Sequence, residues 1–138
     1  MSLTAKIHPL DIDANKAVGI ALPLNSNNQN FFKLNYTTKD QARTNLKMLI
    51  NTVKGERVMR PSYGTNVRKI LFEPDNSNLV LNVQEDIKSA IATWLPYLTV
   101  NSITLEVDSD KHIVYISINY NLSHVPADTE DVVIELNL

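Results

Sequence analysis

The last third of the chain alternates between apolar and polar residues. The apolar positions of its clearest stretch, from His112 to Leu122, are Val114, Ile116, Ile118, Tyr120 and Leu122. A period of two residues predicts a strand with one buried face. A similar alternation at 103–107 precedes it, and the turn residues at 108–111 predict a hairpin between the two strands. A third alternation, from Val132 to Leu138, predicts a final strand.

The middle of the chain has the period of a helix in two places. Apolar residues of the first are Ala42, Leu46, Leu49, Ile50 and Val53, and those of the second are Val80, Val83, Ile87, Ala90, Ile91 and Trp94. A capping box of Thr38 and Gln41 and a C-cap at Gly55 predict a first helix over 39–54. Asp75–Asn78 caps the second helix and Pro96 ends it. A short helical piece capped by Thr65 or Asn66 lies between them.

These elements predict an α+β fold, in which two main α-helices pack on one face of a small antiparallel sheet with a C-terminal hairpin and final strand. Residues 31–138 form this single domain, and residues 1–30 are an N-terminal arm or extension. In the arm, Gly19 and Pro23 interrupt an apolar segment, and the polar run 25–30 follows it. Two interpretations stay open: the arm orders against a partner, or it packs on its own domain as a strand or loop.

Composition excludes several classes of function. The chain has 138 residues, 43% of them hydrophobic, with a formal net charge of -2, which gives no footprint for nucleic acid. The absence of cysteine removes disulfides and thiolate chemistry. We expect no signal peptide and no membrane span, and hence a soluble protein made and used in the cytoplasm. His8, His112 and His124 lie far apart without metal-ligand spacing, so solvated histidines are expected.

Three segments carry a resemblance to a known family. They are Asn51–Arg57 at the end of the first helix, Arg60–Gly64, and Ile70–Glu73. Their order, followed by a second helix, a hairpin and a final strand, resembles the baseplate wedge and tail sheath initiator family of contractile phage tails, with counterparts in type VI secretion. The resemblance runs from about Phe31 to the end of the chain, and its specific part is the segment from Gly-Glu-Arg to Arg-Pro-x-x-Gly.

The resemblance implies a structural subunit of a baseplate wedge on which the first sheath ring nucleates. The implied partners are the tail sheath protein and the wedge subunits that form a helical core bundle, with other copies only through the six-fold assembly. Neither nucleic acid, a membrane nor a cofactor is implied. The implied location is the virion tail baseplate, assembled in the host cytoplasm, and we choose a phage over a secretion system.

The implied site for the sheath is an open sheet edge. Extended arms of sheath subunits add as strands to an existing sheet, and an unpaired edge strand is a template for such addition. The residues assigned to it are Val132, Val133, Ile134, Glu135 and Leu136, with the other end of the sheet as the alternative. We predict that a proline at Ile134 leaves the domain folded and stops sheath growth.

Two further groups of residues follow from the resemblance. Many members end the second helix with Glu-Pro-Arg, which docks onto the wedge core bundle; here the positions are Leu95, Pro96 and Tyr97, so packing and the Tyr97 hydroxyl replace the charged contact. A structural turn consists of Arg57, Arg60, Pro61 and Gly64. Its arginines either tie loop carbonyls or Glu73 to the domain or contact a partner directly.

Two other functions compete with this interpretation. A peptidoglycan-cleaving, lysozyme-type glycosidase needs two carboxylates facing each other across a cleft, and Glu56 and Glu73 are the candidates. Basic neighbours favour the ionised form of both, which is unsuitable for a general acid. The other alternative is a small adaptor unrelated to tails, which has no reason to carry the Gly-Glu-Arg to Arg-Pro-x-x-Gly segment. We therefore predict a protein that is not an enzyme.

Overall fold

The computed structural model describes residues 7–24, 32–73 and 77–137, without the side chains of 125–127. After a short 3-10 helix, Pro9–Asp11, the elements are β1 (Gly19–Ile20), β2 (Leu34–Asn35), α1 (Thr38–Asn51), α2 (Val67–Leu71), α3 (Leu79–Trp94), β3 (Leu98–Asp108), β4 (Ile113–Leu122) and β5 (Val125–Asn137). Strands β1 and β2 pair with each other, and the other three form an antiparallel sheet in the order β3-β4-β5. The predicted α+β fold is confirmed.

The sheet buries the face that the alternation predicts. The buried side chains of β4 are Val114, Ile116, Ile118, Tyr120 and Leu122, and those of β5 are Val132, Ile134 and Leu136. These residues form one core with the inner faces of α1 and α3. Strand β5 starts at Val125, earlier than the predicted strand, because it pairs with β4 as far as Leu122. The predicted position of Leu138 lies outside the described residues.

Helix α1 begins one residue earlier and ends three residues earlier than predicted. Its N-cap is Thr37, whose hydroxyl oxygen accepts a hydrogen bond from the Asp40 backbone N–H at 3.1 Å. The predicted capping box of Thr38 and Gln41 is therefore wrong by one position. Thr38 serves another contact, since both its backbone N–H and its hydroxyl donate to the Asp11 carboxylate at 2.6 Å.

The other end of α1 also differs from the prediction. The helix closes at Thr52, whose backbone N–H donates to the Met48 carbonyl oxygen at 3.1 Å. Gly55 has a φ of +95° but lies in the turn that follows and is not the C-cap. Thr65 explains the early end, because its backbone N–H donates to the Thr52 carbonyl at 2.9 Å and draws the chain out of the helix.

Helix α3 has the predicted inner face except at its start. Val83, Ile87, Ala90 and Ile91 are buried. Val80 lies on the same face but is 47% exposed, so its predicted burial is wrong: the first turn of α3 extends past the core. No side-chain hydrogen bond caps this helix at Asn78.

The short helix α2 takes its cap from another element. The side chain of its N-cap, Asn66, makes no capping hydrogen bond. Instead the Asn66 backbone N–H donates to the carboxylate of Asp86, on α3, at 2.6 Å. Asp86 was predicted on the face of α3 away from the core, and it is half-buried because it joins α2 to α3 and also pairs with Lys54 at 3.4 Å.

The N-terminal segment packs on its own chain over residues 7–24. Strand β1 pairs with β2, Ala21 is buried, and Asp11 binds the first turn of α1. The Asn35 amide on β2 donates to the Thr44 hydroxyl of α1 at 2.9 Å, which fixes β2 to the helix. The polar run 25–30 lies outside the described residues. The domain boundary at residue 30 stays a prediction.

A group of charged residues joins α1 to the first half of β5. Lys39 contacts both Asp128 at 2.9 Å and Glu130 at 2.5 Å, and Arg43 contacts Glu130 at 2.5 Å. The hydrogen bonds to Asp128 and Glu130 raise the pKa of Lys39 above its ordinary value. These ion pairs hold one end of β5 against the helix.

Beside these ion pairs lies a buried polar group without a partner. The Tyr120 hydroxyl and the Arg43 Nε atom are buried and lack hydrogen-bond partners among the described residues. Burial raises the pKa of Tyr120, and the neighbouring Arg43 charge partly offsets that rise. A buried hydroxyl without a partner costs roughly 1–3 kcal/mol of desolvation.

We therefore expect Tyr120→Phe to unfold at the same free energy as the wild type or up to about 1 kcal/mol higher. The raised pKa means that the folded state keeps a proton that the unfolded state loses. The corresponding stability is complete below the ordinary pKa of 10.0 and declines as the pH rises through the folded pKa, and the variant should show less of this decline. Chemical unfolding at pH 7 and in the alkaline range, with Tyr115→Phe as the control, checks both. A loss above about 1.5 kcal/mol at pH 7 would contradict the prediction.

Candidate partner-binding surfaces

The residues predicted to receive a sheath strand lie on β5, an outer strand of the three-stranded sheet. Val132, Ile134 and Leu136 are at most 3% exposed and belong to the core. Val133 is 54% exposed and Glu135 is also exposed, on the opposite face. No further strand pairs with the outer side of β5 within the described part of the chain. The predicted residues thus lie on one edge, but only two of them have accessible side chains.

The direction of the β5 backbone groups follows from a contact on the far side of the sheet. The side-chain amide of Gln84, on α3, donates to the carbonyl of Ile103, on β3, at 2.8 Å, so that carbonyl points away from β4. In an antiparallel ladder the N–H and C=O of one residue point to the same side, and the side alternates along the strand. Ile103 pairs with Ile118, which therefore directs its backbone groups toward β5 and its partner Val132.

The same alternation continues along β5, where the register is regular from Thr129 to Asn137. Val132, Ile134 and Leu136 use their backbone groups to bind β4. Val133 and Glu135 direct theirs to the open edge, as does Asp131. The proline prediction for Ile134 is therefore corrected, because proline there would remove both a hydrogen bond to β4 and a core side chain.

A groove runs beside the open edge of β5. Its volume is about 560 Å³, and its lining residues are Leu22, Pro23, Lys47, Asn51, Val133, Ile134 and Glu135. One wall is the end of α1 and the other is the turn that follows β1. The edge is thus reachable from outside and lies next to apolar side chains. At the opposite edge, on β3, the Gln84 amide already occupies the carbonyl of Ile103.

The predicted wedge-docking residues follow directly after α3. Leu95 is only 6% exposed and belongs to the core, so Pro96 and Tyr97 form the accessible part. The Tyr97 hydroxyl accepts a hydrogen bond from the Asn45 amide at 2.9 Å, which leaves its proton free to donate. Docking at these positions stays a prediction.

Next to Tyr97, a pocket of about 300 Å³ lies between the N-terminal segment and the domain. His8 and His124 line it with their ring centroids 5.0 Å apart, and both are half-buried. The expectation that these two histidines are far apart and solvated is wrong, because folding of the N-terminal segment onto α1 brings them together. Sequence separation gave no signal for this contact. Among the described residues, no group of three or more His, Asp or Glu side chains could hold a metal ion.

The predicted structural turn is closed by backbone contacts. The Gly55 N–H donates to the Pro61 carbonyl at 2.7 Å, and the Tyr63 N–H donates to the Arg60 carbonyl at 3.1 Å. Gly64 is buried with a φ of +118°. A Cβ atom at Gly64 would lie 2.4 Å from the Thr52 carbonyl oxygen. The turn therefore depends on the absence of a side chain at this position.

The two arginines of the turn stack on aromatic rings. The Arg57 guanidinium lies 4.2 Å from the centre of the Tyr63 ring, and that of Arg60 lies 6.0 Å from the Trp94 ring. Tyr63 and Trp94 contact each other edge to face, with ring centres 5.2 Å apart. Burial raises the pKa of the Tyr63 hydroxyl, and the Arg57 charge partly offsets the rise. Within the described residues neither guanidinium has an ion pair.

Between these arginines lie the two most exposed apolar residues of the described chain. Val58 is 94% exposed and Met59 is 92% exposed. The sequence reasoning treated this segment as irregular and missed them. The signal that could have found them is an apolar pair without helical or strand period between two arginines.

The candidate glycosidase carboxylates do not form a cleft of their own. Glu56 is exposed and its carboxylate accepts a hydrogen bond from the Val53 backbone N–H at 3.1 Å, which makes it part of the turn after α1. Glu73 is exposed at the end of the segment that follows α2. A glycosidase would need the two carboxyl groups on opposite sides of a bound sugar.

A comparison with protein families decides the affiliation of the chain. The model of the family described as "Baseplate wedge protein gp25" matches residues 37–127, about two thirds of the chain. The chain belongs to this baseplate wedge family. The match covers the turn of Arg57–Gly64 and the Leu95–Tyr97 segment, so the resemblance seen in the sequence is confirmed. It ends before the exposed half of β5. No curated protein sequence matches the chain.

Solved structures support the fold of the baseplate wedge family. The crystal structure of a proposed tail lysozyme from Geobacter sulfurreducens has a TM-score of 0.67 and 21% identity, covering 74% of this chain and 92% of that one. A subunit of the anti-feeding prophage baseplate has a TM-score of 0.56 and 19% identity, with 86% and 82% covered. A chain of the type VI secretion baseplate complex has a TM-score of 0.55 and 11% identity, with 68% and 88% covered. At these identities the likeness concerns the fold.

Proposed function

We propose that this baseplate wedge protein nucleates tail sheath polymerisation by offering the open edge of β5 to an arm of the first sheath ring. The observation that carries the proposal is the set of outward backbone groups at Val133 and Glu135, next to a groove of about 560 Å³. An extended arm would form main-chain hydrogen bonds with these groups and place alternate side chains in the groove.

The choice of β5 over β3 rests on how each edge is covered. On β3, the Gln84 amide satisfies the Ile103 carbonyl, so an arm would have to displace a hydrogen bond worth roughly 1 kcal/mol. On β5, the described backbone of 131–137 has no hydrogen bond besides those to β4. The open edge therefore gains hydrogen bonds without losing any.

The second part of the proposal concerns the wedge. We infer that Pro96 and Tyr97 contact the helical core bundle of the wedge subunits, with Leu95 in a supporting role from the core. The Tyr97 hydroxyl can donate while it accepts from Asn45, and its ring is 37% exposed. The proposed setting is a six-fold phage baseplate assembled in the host cytoplasm.

We also propose that the protein is not an enzyme, although one structural relative is named for lysozyme activity. The carboxylate of Glu56 is engaged by the backbone of the turn after α1, and Glu73 is exposed. None of the described helices combines the length and apolar character needed to cross a membrane. The acid–base pair and sugar cleft of a glycosidase thus have no counterpart in the geometry of these two residues.

The test is sheath assembly on purified baseplates with and without this chain. Sheath protein added to complete baseplates should polymerise from them, and electron microscopy should show few or no sheaths on baseplates that lack the chain. Adding the purified chain back should restore growth. Equal sheath growth on both kinds of baseplate would contradict the proposal, and turnover of purified peptidoglycan that is lost in Glu56→Gln or Glu73→Gln would favour the enzyme.

A further inference from the structure

The exposed residues Val58 and Met59 form the tip of the turn after α1, and we propose that this tip inserts into an apolar pocket rimmed by carboxylates on another baseplate subunit. The tip is defined as Arg57–Arg60. The inference needs only that the chain is built into a baseplate and is independent of sheath nucleation.

The apolar part of the tip has no role within its own chain. At 94% and 92% exposure, Val58 and Met59 make almost no contact with the domain, so their side chains contribute little to its stability. Single exposed apolar residues are common, but two neighbours held together at the end of a closed turn form a protruding anchor. Methionine is adaptable and suits a pocket of irregular shape.

The turn presents the tip in one conformation. The hydrogen bond from Gly55 to Pro61 closes its base, and the stacking of Arg57 on Tyr63 and of Arg60 on Trp94 fixes both sides. An anchor that is already ordered loses little conformational entropy on binding. The arrangement has the anatomy of an interface hot spot, an apolar centre flanked by arginines.

The charges around the tip select its partner. Lys54, Arg57, Arg60, Arg68 and Lys69 lie within this stretch of chain against one acidic residue, Glu56. Of the five cations, only Lys54 has an ion pair within the described residues, with Asp86. A complementary surface therefore carries carboxylates around its pocket. Arginine can bind such carboxylates in a bidentate manner while it remains stacked.

Other occupants fit the tip less well. Two aliphatic side chains without an aromatic residue between them give little area for insertion into lipid. Nucleic acid would place phosphates next to Val58 and Met59 and would meet a chain with a net charge of -2. The tip is small compared with a standard interface, so it acts as one anchor of a subunit that other contacts also hold.

The absence of cysteine allows a direct test by site-specific cross-linking. Met59→Cys, labelled with a benzophenone maleimide, is incorporated into baseplates and irradiated, and the attached peptide is identified by mass spectrometry. We expect a peptide of another subunit with at least two carboxylates next to apolar residues, and a yield that falls with rising salt. Ser109→Cys in the exposed β3–β4 turn is the control.

A second measurement separates binding from folding. The double variant Val58→Ser, Met59→Ser should keep its melting temperature and be incorporated into baseplates at least about tenfold less well in competition with the wild type. Ile12→Ser, which changes a residue that is 75% exposed elsewhere, should compete equally. A cross-link to a second copy of this chain, to lipid or to nucleic acid, no cross-link above the Ser109→Cys control, or normal incorporation of the double variant would overturn the proposal. Because incorporation is read without sheath protein, failure here leaves sheath nucleation unaffected.

Discussion

Replacing Val133 by proline is expected to stop sheath growth from the baseplate while the domain stays folded. Val133 directs its backbone N–H to the open edge of β5, and its side chain is 54% exposed. Proline removes a donor that β4 does not use, and proline is tolerated at such positions of edge strands. An incoming arm loses one main-chain hydrogen bond and meets the pyrrolidine ring where it should pair. We expect at least about a tenfold decrease in the number of sheaths per baseplate, counted by electron microscopy.

Strand β3 offers a closely matched control. Val107 is also a valine, is also 54% exposed, and by the same alternation also directs its N–H away from β4. Val107→Pro should therefore cost about as much stability as Val133→Pro, roughly 1 kcal/mol, without affecting sheath growth. Thermal unfolding of both variants tests the first expectation, and the sheath count tests the second.

The pair of variants distinguishes the two edges of the sheet. If Val107→Pro blocks sheath growth and Val133→Pro does not, β3 receives the arm and the assignment to β5 is wrong. If both variants allow normal growth, strand addition to this sheet is not how the sheath begins. Incorporation of each variant into baseplates has to be equal for either comparison, and this is measured on the same particles.

The second large effect is expected at Gly64, where alanine should destabilise the domain by about 3 kcal/mol or more. Two causes add up. The φ of +118° is strained for any residue with a Cβ atom, and that atom would lie 2.4 Å from the Thr52 carbonyl oxygen. The Thr52 carbonyl cannot move freely because it accepts the Thr65 N–H at 2.9 Å. Chemical denaturation of the purified chain measures the change.

Gly55 separates these two causes. Its φ of +95° is also in the left-handed region, but nothing lies within 4 Å of the position of its Cβ. Gly55→Ala should therefore cost only about 1 kcal/mol, the strain without the clash. Equal costs for the two variants would show that the close approach to Thr52 is relieved by a small backbone shift.

The family resemblance and the sheet could be predicted because both depend on local patterns. The alternation of Val114, Ile116 and Ile118 determines which face of β4 is buried, whatever its neighbours are. The segment from Gly55 to Gly64 gives the affiliation through residue types at fixed spacing, and the family model covers it. Capping was predicted less well, because Thr37 and Thr38 are both suitable caps and only the distant Asp11 decides between them.

The sequence by itself determined the fold class, the buried faces of the main helices and strands, and the family, since these follow from the period of apolar residues and from one specific motif. Tertiary structure alone decided which backbone groups of β5 are free, because their direction depends on the register across three strands and on the contact of Gln84 with Ile103. It also decided that Val58 and Met59 protrude and that His8 meets His124. Exposure and contact between distant residues depend on how elements pack, and no local pattern encodes that.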